Sequence, residues 1–346
     1  MTRRVLVVRA DGLGDVVLSG PAVRAVAAAG VAVTMLCSPA GEPAARRLPG
    51  VSDVVVARLP WVDANPGPSG AAVLEQLVAL VRTIDADEAI LLTSSHQSPL
   101  PTAVLMRLAG VRRIGGISVD YPGPLLDVAL RHDDDRHEVT RALELVEAFG
   151  YRLSSHDPGA LHLDHPGAPL PELAGEEYVV VHPGASVPAR TWTPSRWFDL
   201  VGRLGAEGMR TIVTGGPDER ALTARVARAH ARAEDWGGAF EFPQLLDCLA
   251  GAKVVVVGNT GPAHMAAAVG TPVVSIFPPT VPAARWRPWG VPYLLFGNQG
   301  IECAGCRARA CPRPEPICVS AVRLSPVVDG VVRLAAALPT GSGAAA

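Results

Sequence analysis

Short apolar runs and longer amphipathic stretches alternate along most of the chain. The run at 254–257 consists of four valines without a polar interruption, as in a strand that is buried on both faces of a parallel sheet. Similar runs occur at 4–9 and 178–184, and each is followed by a turn containing glycine and then by a helical pattern. This alternation predicts an α/β fold in which helices connect parallel strands.

The predicted elements fall into two groups. The first group has strands at 4–9, 31–37, 53–57 and 88–93, and helices at 14–28, 42–48, 71–84, 102–109 and 133–149. The second group has strands at 178–184, 211–214, 254–257, 273–277 and 293–296, and helices at 194–204, 219–231, 242–249, 263–269 and 320–337. The stretch 153–176 between them is rich in Pro, His, Asp and Gly and has no period, which is typical of a linker.

The length of 346 residues also favours two domains, because it exceeds what one hydrophobic core usually supports. We therefore expect two doubly wound, Rossmann-like domains at 1–152 and 177–338, the linker at 153–176 and a disordered tail at 339–346. Two such domains would face each other across a cleft and bind ligands at the carboxyl ends of their strands.

Charge and targeting signals narrow the class of partner. The formal net charge is −2, from 31 basic and 33 acidic residues, and no basic stripe is present, which argues against nucleic acid. A small or locally anionic ligand fits better. The first apolar run ends at Arg9, so it does not resemble a secretory signal, and polar residues interrupt every apolar stretch before it reaches spanning length. We expect a soluble cytoplasmic protein.

A glycine-rich turn at 258–262 separates the valine strand from a helix of small residues. Proline at the start of a helix sacrifices no hydrogen bond, and the free amide groups and positive dipole end of such a helix attract anions. The turn therefore predicts a site for an anionic ligand, most simply a diphosphate, with Asn259, Thr260 and His264 beside it. The alternative is that Asn259 or Thr260 only caps the helix and His264 is a core residue.

The first turn of the chain offers a candidate general base. Gly12 and Gly14 match two glycines of the dinucleotide fingerprint, but Val17 occupies the position of the third, which weakens the case for a dehydrogenase. Asp15 lies at the start of a helix, at the carboxyl end of the first strand. A carboxylate there suits a base that accepts a proton from an alcohol, although it is equally typical of simple pairing with a helix dipole.

Two turns in the second half add charged groups at other strand ends. The stretch 182–190 ends at Arg190, whose guanidinium suits the negative charge of a leaving diphosphate. The stretch 215–219 places Asp218 and Glu219 where a carboxylate can bind ribose hydroxyls. Each feature alone is an ordinary turn with surface charges. Together they indicate one ligand-binding rim.

Four cysteines near the end of the chain have a regular spacing. Cys303, Cys306, Cys311 and Cys318 form a C-x2-C-x4-C-x6-C pattern, which is compatible with a structural zinc site or with free thiols in a reducing compartment. The two other cysteines, Cys37 and Cys248, are predicted to pack in the cores.

Several stretches in this order resemble glycosyltransferase family 9, the ADP-heptose heptosyltransferases. They are RADGLGDVVLSGPAVRA at 9–25, HPGASVPARTWTPSRW at 182–197, TGGPDE at 214–219, GNTGPAHMAAAVGTPVVSIF at 258–277, and the cysteine pattern. The resemblance covers almost the whole chain. It implies a GT-B fold and an inverting, metal-independent transfer in which the second domain holds most of the nucleotide sugar.

The resemblance also assigns roles to individual residues. It implies that Asp15 is the base, that Glu219, or less favourably Asp218, binds the ribose, and that Asp11 and Gly14 lie on the acceptor side. The nucleotide-sugar contacts that it implies are Ser186, Arg190, Glu219, Asn259, Thr260, Gly261 and His264. Asn259 departs from the pattern, because heptosyltransferases often have an aspartate there.

Two other classes of protein remain open, namely a GT-B-type sugar-nucleotide epimerase and a non-catalytic binder of sugar nucleotides. The acceptor is open as well. The resemblance implies a lipopolysaccharide core, but the first domain has no evident basic groove, so another glycan, a glycolipid or a secondary metabolite also fits. A glycolipid acceptor would bring the protein to a membrane surface.

Overall fold

The computed structural model describes residues 3–63, 66–67, 69–132, 134–168, 170–313 and 316–337. The predicted tail at 339–346 lies outside these residues. The chain divides into two compact units, Met1–Asp164 and His165–Ala346, and the point of division falls inside the stretch that was predicted as a linker. In the described part of the chain, no helix is both long and apolar enough to cross a bilayer.

The first unit is a six-stranded sheet with helices on its faces. Its strands are β1 (Arg4–Arg9), β2 (Ala32–Cys37), β3 (Asp53–Val56), β4 (Glu88–Leu91), β5 (Arg113–Ile117) and β6 (Val128–Leu130). Its helices are α1 (Leu13–Leu18), α2 (Gly20–Ala27), α3 (Glu42–Ala45), α4 (Ala71–Ile84), α5 (Leu100–Ala109) and α6 (Glu138–Ala148). Leu6 and Val8 of β1 belong to a core cluster with Val81 of α4 and Met106 of α5, so one face of the sheet packs on these helices.

The second unit repeats this plan. Its strands are β7 (Tyr178–His182), β8 (Arg210–Gly215), β9 (Ala233–Gly237), β10 (Val255–Gly258), β11 (Val273–Ile276) and β12 (Tyr293–Phe296). Its helices are α7 (Pro194–Ala206), α8 (Arg220–Ala227), α9 (Phe242–Ala250), α10 (Gly261–Ala268), α11 (Ala283–Trp286), α12 (Ile317–Ser320) and α13 (Leu324–Ala336). Val179 and Val181 of β7 pack in one cluster with Trp197 of α7 and Val331 of α13.

The two sheets have the same strand order. The first runs β3-β2-β1-β4-β5-β6 and the second β12-β11-β10-β7-β8-β9, which is the same order read from the other side. Every strand pair is parallel. The predicted class of two doubly wound α/β domains is therefore confirmed. Such sheets bind ligands where the strand order reverses, which is between β1 and β4 in the first unit and between β7 and β10 in the second.

Some predicted elements differ from the observed ones. The sequence pattern did not predict β5, β6, β9 or α12, and it joined α1 to α2. The first helix is interrupted at Ser19, whose hydroxyl donates to the carbonyl of Val16 at 2.6 Å, and Pro21 opens the next helix. A side chain that bonds to a nearby backbone carbonyl competes with the hydrogen bonds that continue a helix. The apolar residues therefore keep their helical spacing across Ser19, although the helix itself is interrupted there.

Candidate active site

A buried arginine organises the strand-order switch of the first unit. The guanidinium of Arg9, at the end of β1, contacts Asp11 Oδ2 at 2.9 Å and Asp15 Oδ1 at 2.8 Å. It also contacts Glu138 Oε2 at 3.4 Å and donates to the hydroxyl of Ser94, after β4, at 3.0 Å. Burial of an arginine is costly unless its donors are paired, so these partners fix one another. The sequence pattern did not predict this role for Arg9.

Asp15 has the position expected of a base at the end of β1. It lies in the first turn of α1, next to Gly14, with its amide group bonded to the carbonyl of Gly12 at 3.1 Å. One carboxylate oxygen faces Arg9, and a quarter of the side chain is exposed. Asp15 is therefore held by a cation and still reaches solvent.

Asp11 has a different environment. Its carboxylate accepts from Gln97 Nε2 and contacts Arg9, and its side chain is only 8% exposed. Burial raises the pKa of Asp11 to about 6, against the opposing effect of Arg9. The hydroxyl of Ser38 also donates to the backbone carbonyl of Asp11 at 2.7 Å. This geometry favours a structural role in the turn over the acceptor contact implied by the resemblance.

The turns after β7 and β10 meet at the switch of the second unit. The amide of Asn259 donates to the carbonyl of Arg190 at 3.3 Å. A Cβ atom on Gly258 would lie 2.7 Å from that carbonyl oxygen, so only glycine permits this approach of the two backbones. Arg190 and Asn259, which were predicted to share one rim, are therefore joined by a backbone hydrogen bond.

The start of α10 carries buried polar atoms without protein partners. Thr260 is the N-cap residue and makes no side-chain capping bond, and Pro262 lies in the first turn. Among the described residues, Asn259 Nδ2 and Thr260 Oγ1 have no hydrogen-bond partner. Thr260 therefore occupies the N-cap position without capping the helix through its side chain. Unpaired buried groups beside a helix start favour a polar, anionic ligand, and Gly261 and the buried His264 belong to the same helix.

Glu219 is fixed at the end of β8. Its Oε2 accepts from the amide of Gly216 at 2.8 Å and lies 3.7 Å from Nε2 of His182, a buried residue at the end of β7. Burial lowers the pKa of His182, although Glu219 opposes the shift, so this imidazole is neutral at physiological pH. Asp218 is exposed and Ser186 lies in an exposed loop. The geometry therefore favours Glu219 over Asp218 as a preorganised acceptor of hydroxyl groups.

An aromatic pair lies at the end of the neighbouring strand. Trp236 of β9 stacks on Phe240, with ring centroids 5.1 Å apart and planes inclined by 8°. The strand AEDWG is too polar to be recognised as a strand, which explains why the sequence pattern missed the pair. This half-buried aromatic pair, at the end of the strand next to β8, offers a flat surface to a nucleobase.

The structure does not support the possible zinc site among the four cysteines. Cys303 and Cys306 are exposed, Cys311 and Cys318 are half-buried, and all four thiols are free. Within the described ranges, no three His, Cys, Asp or Glu side chains form a group that could hold a metal ion. The spacing is compatible with zinc, but zinc also needs the four sulfur atoms to converge tetrahedrally. The prediction that Cys37 and Cys248 pack in the cores is confirmed.

Comparison with known proteins gives consistent matches. The model of "Glycosyltransferase family 9 (heptosyltransferase)" matches residues 76–316. The chain is 31% identical over 138 residues to lipopolysaccharide heptosyltransferase 3 of Escherichia coli, covering 39% of this chain and 38% of that protein. It is 26% identical over 359 residues to lipopolysaccharide heptosyltransferase 1 of Pseudomonas aeruginosa, covering 93% and 95% of the two chains. The alignments with E. coli relatives thus span between about two fifths and one half of those proteins.

The fold has solved counterparts as well. The E. coli ADP-heptose lps heptosyltransferase II resembles this chain with a TM-score of 0.71 at 17% sequence identity, covering 96% of this chain and 98% of that one. At this identity the likeness concerns the fold, and it agrees with the GT-B class expected from the sequence.

Proposed function

The chain belongs to glycosyltransferase family 9, and we propose that it transfers a sugar from a nucleotide donor to a hydroxyl group of a glycan or glycolipid. ADP-heptose is the proposed donor, because ADP-heptose is named for a protein of the same fold and heptosyltransferase for the relatives. The lipopolysaccharide named for the relatives is the first acceptor to test. A glycolipid acceptor would draw the protein to a membrane surface.

The row of polar turns along the second sheet is the observation that carries this proposal. From one edge towards the other, the strand ends present the Trp236 and Phe240 rings, then Glu219, then Arg190, then the start of α10. A nucleotide sugar contains a base, a ribose, a diphosphate and a sugar in that order. Aromatic rings suit the base, a carboxylate suits the ribose hydroxyls, and a guanidinium and a helix start suit the phosphates.

We assign the proton transfer to Asp15. As the acceptor oxygen attacks the anomeric carbon of the donor, its proton passes to the Asp15 carboxylate. The new carbon–oxygen bond forms while the bond to the diphosphate breaks, so ADP leaves with the electron pair. Attack on the face opposite the leaving group inverts the anomeric configuration.

A metal ion is not part of the proposal. The negative charge that develops on the leaving diphosphate would be stabilised by Arg190 and by the amide groups at the start of α10. Preorganised cations and dipoles of this kind supply the electrostatic stabilisation that a divalent ion supplies in other transferases.

The direct test measures release of ADP from ADP-heptose by the purified chain, with and without a heptose-free lipopolysaccharide core. We expect release only with the acceptor, unchanged by a metal chelator, and a product with inverted anomeric configuration. Asp15→Asn should lower kcat about 100-fold or more while ADP-heptose still binds, because a general base contributes roughly 10²–10⁴-fold. Asp53→Asn, a change of an exposed aspartate at the start of β3, is the matched control.

The same assay separates the other two classes of protein. A sugar-nucleotide epimerase would alter the donor without any acceptor. If the protein is a non-catalytic binder, the wild type and the Asp15→Asn variant would bind the donor equally well, and neither would release ADP. Full activity of the Asp15→Asn variant would contradict the assignment of the base.

A further inference from the structure

The strand order of the second sheet indicates where the sugar of the proposed donor would lie. The base, ribose and diphosphate are assigned to the ends of β9, β8, β7 and β10, which are consecutive neighbours. The next strand beyond β10 is β11, about 4.8 Å further along the sheet. A donor that continues along this row places its sugar over the end of β11. This step depends on the proposed function.

Thr280 lies in the buried segment that follows β11, four residues after the last residue of the strand. Its amide donates to the carbonyl of Pro278 at 2.8 Å, and its carbonyl accepts from the amide of Arg307 at 2.9 Å. Thr280 is only 4% exposed. Among the described residues, its hydroxyl has no hydrogen-bond partner. The backbone of Thr280 is therefore fully used, and its side chain retains an unsatisfied polar atom.

Thr280 repeats the local geometry of Thr260 on the adjacent strand. The amide of Thr260 donates to the carbonyl two residues earlier, Gly258, at 2.9 Å, as the amide of Thr280 does to that of Pro278. Both hydroxyls lack partners in the part of the chain that the structure describes. Because Gly258 and Ile276 are paired in the ladder, β10 and β11 end at the same level of the sheet, and the turn at Thr280 starts two residues beyond that level.

The segment 301–313, which contains three of the cysteines, holds this end of the sheet in place. Gly305 donates to the carbonyl of Pro279 at 2.7 Å, next to the bond from Arg307 to Thr280. The amide of Ala189, the neighbour of Arg190, donates to the carbonyl of Arg309 at 3.1 Å. One loop thus fixes the backbone beside the proposed phosphate contact and beside Thr280.

We propose that the Thr280 hydroxyl forms a hydrogen bond with a hydroxyl of the donor sugar and determines specificity for that sugar. A buried hydroxyl without a partner lowers the stability of the folded protein, and a ligand that supplies the partner recovers this energy. A sugar lacking the matching hydroxyl leaves the atom unpaired, which is how polar groups discriminate between ligands.

Not every unpartnered hydroxyl marks a site, and the chain provides a control. Thr211 is fully buried and its Oγ1 also lacks a partner within the described residues. It lies near the start of β8, at the opposite end of the strands from the predicted site. Thr211→Val therefore removes the same atom from a similar environment and touches none of the assigned groups.

The test compares the binding of ADP with that of ADP-heptose to the full chain without acceptor, by calorimetry. We expect Thr280→Val to leave the dissociation constant for ADP within twofold of the wild type. The dissociation constant for ADP-heptose should rise about fivefold to tenfold, as expected for one lost hydrogen bond. Thr280→Ser should restore the affinity for ADP-heptose, and Thr211→Val should leave the affinity for both ligands unchanged. Thr280→Val should not lower the thermal midpoint below that of the wild type, since it removes an unpaired buried group.

The outcomes separate this inference from the proposed function. If the wild type binds ADP-heptose no better than ADP, the assignment of the donor fails. If the wild type prefers ADP-heptose and Thr280→Val keeps that preference, only the role of Thr280 is wrong. Equal weakening of both ligands would show that Thr280 acts on the fold of the site and not on the sugar.

Discussion

The position of the Glu219 carboxylate depends on the absence of a side chain at residue 184. A Cβ atom on Gly184 would lie 1.9 Å from Glu219 Oε1, so the carboxylate occupies the space that any other residue would fill. Arg9 has a comparable effect on Asp15. Its guanidinium contacts one oxygen of the Asp15 carboxylate, while a quarter of the Asp15 side chain stays exposed. At the scale of single residues, the position of each proposed functional acid depends on one neighbouring residue.

Gly184→Ala should therefore lower donor affinity. The added methyl group displaces the flexible end of Glu219 and not the backbone, so the free energy of unfolding should change little. We expect the dissociation constant for ADP to rise about tenfold, the effect of losing roughly 1.4 kcal/mol of binding. Gly216→Ala is the control, because its Cβ would lie 3.8 Å from the same carboxylate. Equal affinity of the Gly184→Ala variant would show that Glu219 does not bind the ribose.

The pKa of Asp11 predicts how stability depends on pH. Because burial raises this pKa to about 6, the folded state retains a proton that the unfolded chain loses near pH 4. Ionisation of Asp11 therefore lowers the free energy of unfolding as the pH rises from about 4 through 6. Asp11→Asn cannot ionise, so its stability relative to the wild type should increase over this range and then become constant.

Urea unfolding at several pH values between about 4 and 8 measures this difference. Asp53→Asn, with an exposed carboxylate, should not reproduce the increase. A difference between wild type and Asp11→Asn that does not change with pH would mean that Asp11 is ionised throughout.

At the scale of elements, the apolar runs predicted every strand except β5, β6 and β9. β1, β7 and β10 are buried on both faces and consist largely of valine, so their sequence alone identifies them. β9 is polar because it is an edge strand, and β5 contains two glycines. Glycine normally weakens a strand, so a sequence pattern does not favour a strand here. The presence of glycine in β5 is explained only by the close packing of Phe149, which follows α6.

The packing of β5 gives a prediction of its own. A Cβ atom on Gly115 would lie 2.3 Å from the ring of Phe149, which follows α6, and 3.0 Å from Val128 of β6. Gly115→Ala should lower the free energy of unfolding of the first unit by about 1–3 kcal/mol, because overpacking moves both the ring and the strand. Hydrogen exchange read by mass spectrometry reports the two units separately.

Gly202→Ala in α7 is the matched change. Its Cβ would have nothing closer than 3.6 Å, and alanine in a helix interior stabilises by about 0.5–1 kcal/mol over glycine. Unchanged exchange in β5 and β6 of the Gly115→Ala variant would show that Phe149 has room to move.

At the scale of the whole molecule, the same six-strand order occurs twice, and the candidate residues follow from it. Sequence patterns predicted Asp15, Glu219 and the turn at 259–264 because each follows a recognisable buried strand. They could not predict Arg9, His182 or Thr280 as participants, since the relevant contacts join segments far apart in sequence or concern an atom left without a partner. The possible zinc site could not be decided from the sequence either, because a spacing does not fix where four sulfur atoms lie.

The assignment of all donor-binding groups to one unit predicts that the second unit binds the nucleotide by itself. Every group assigned to the donor lies in His165–Ala346, and this unit has its own sheet and its own core. A fragment that starts at His165 should therefore unfold cooperatively and bind ADP with a dissociation constant within about threefold of the full chain. It should release no ADP from ADP-heptose when acceptor is added, because Asp15 is absent.

Calorimetry with ADP and circular dichroism of the fragment measure both properties, and Gly184→Ala introduced into the fragment should weaken ADP as in the full chain. A folded fragment that does not bind ADP would mean that the first unit supplies a nucleotide contact. An unfolded fragment would mean that the core of the second unit is insufficient without the first. Binding of ADP together with an undiminished effect of Gly184→Ala would place the nucleotide entirely on the second unit, at the ends of β9, β8, β7 and β10.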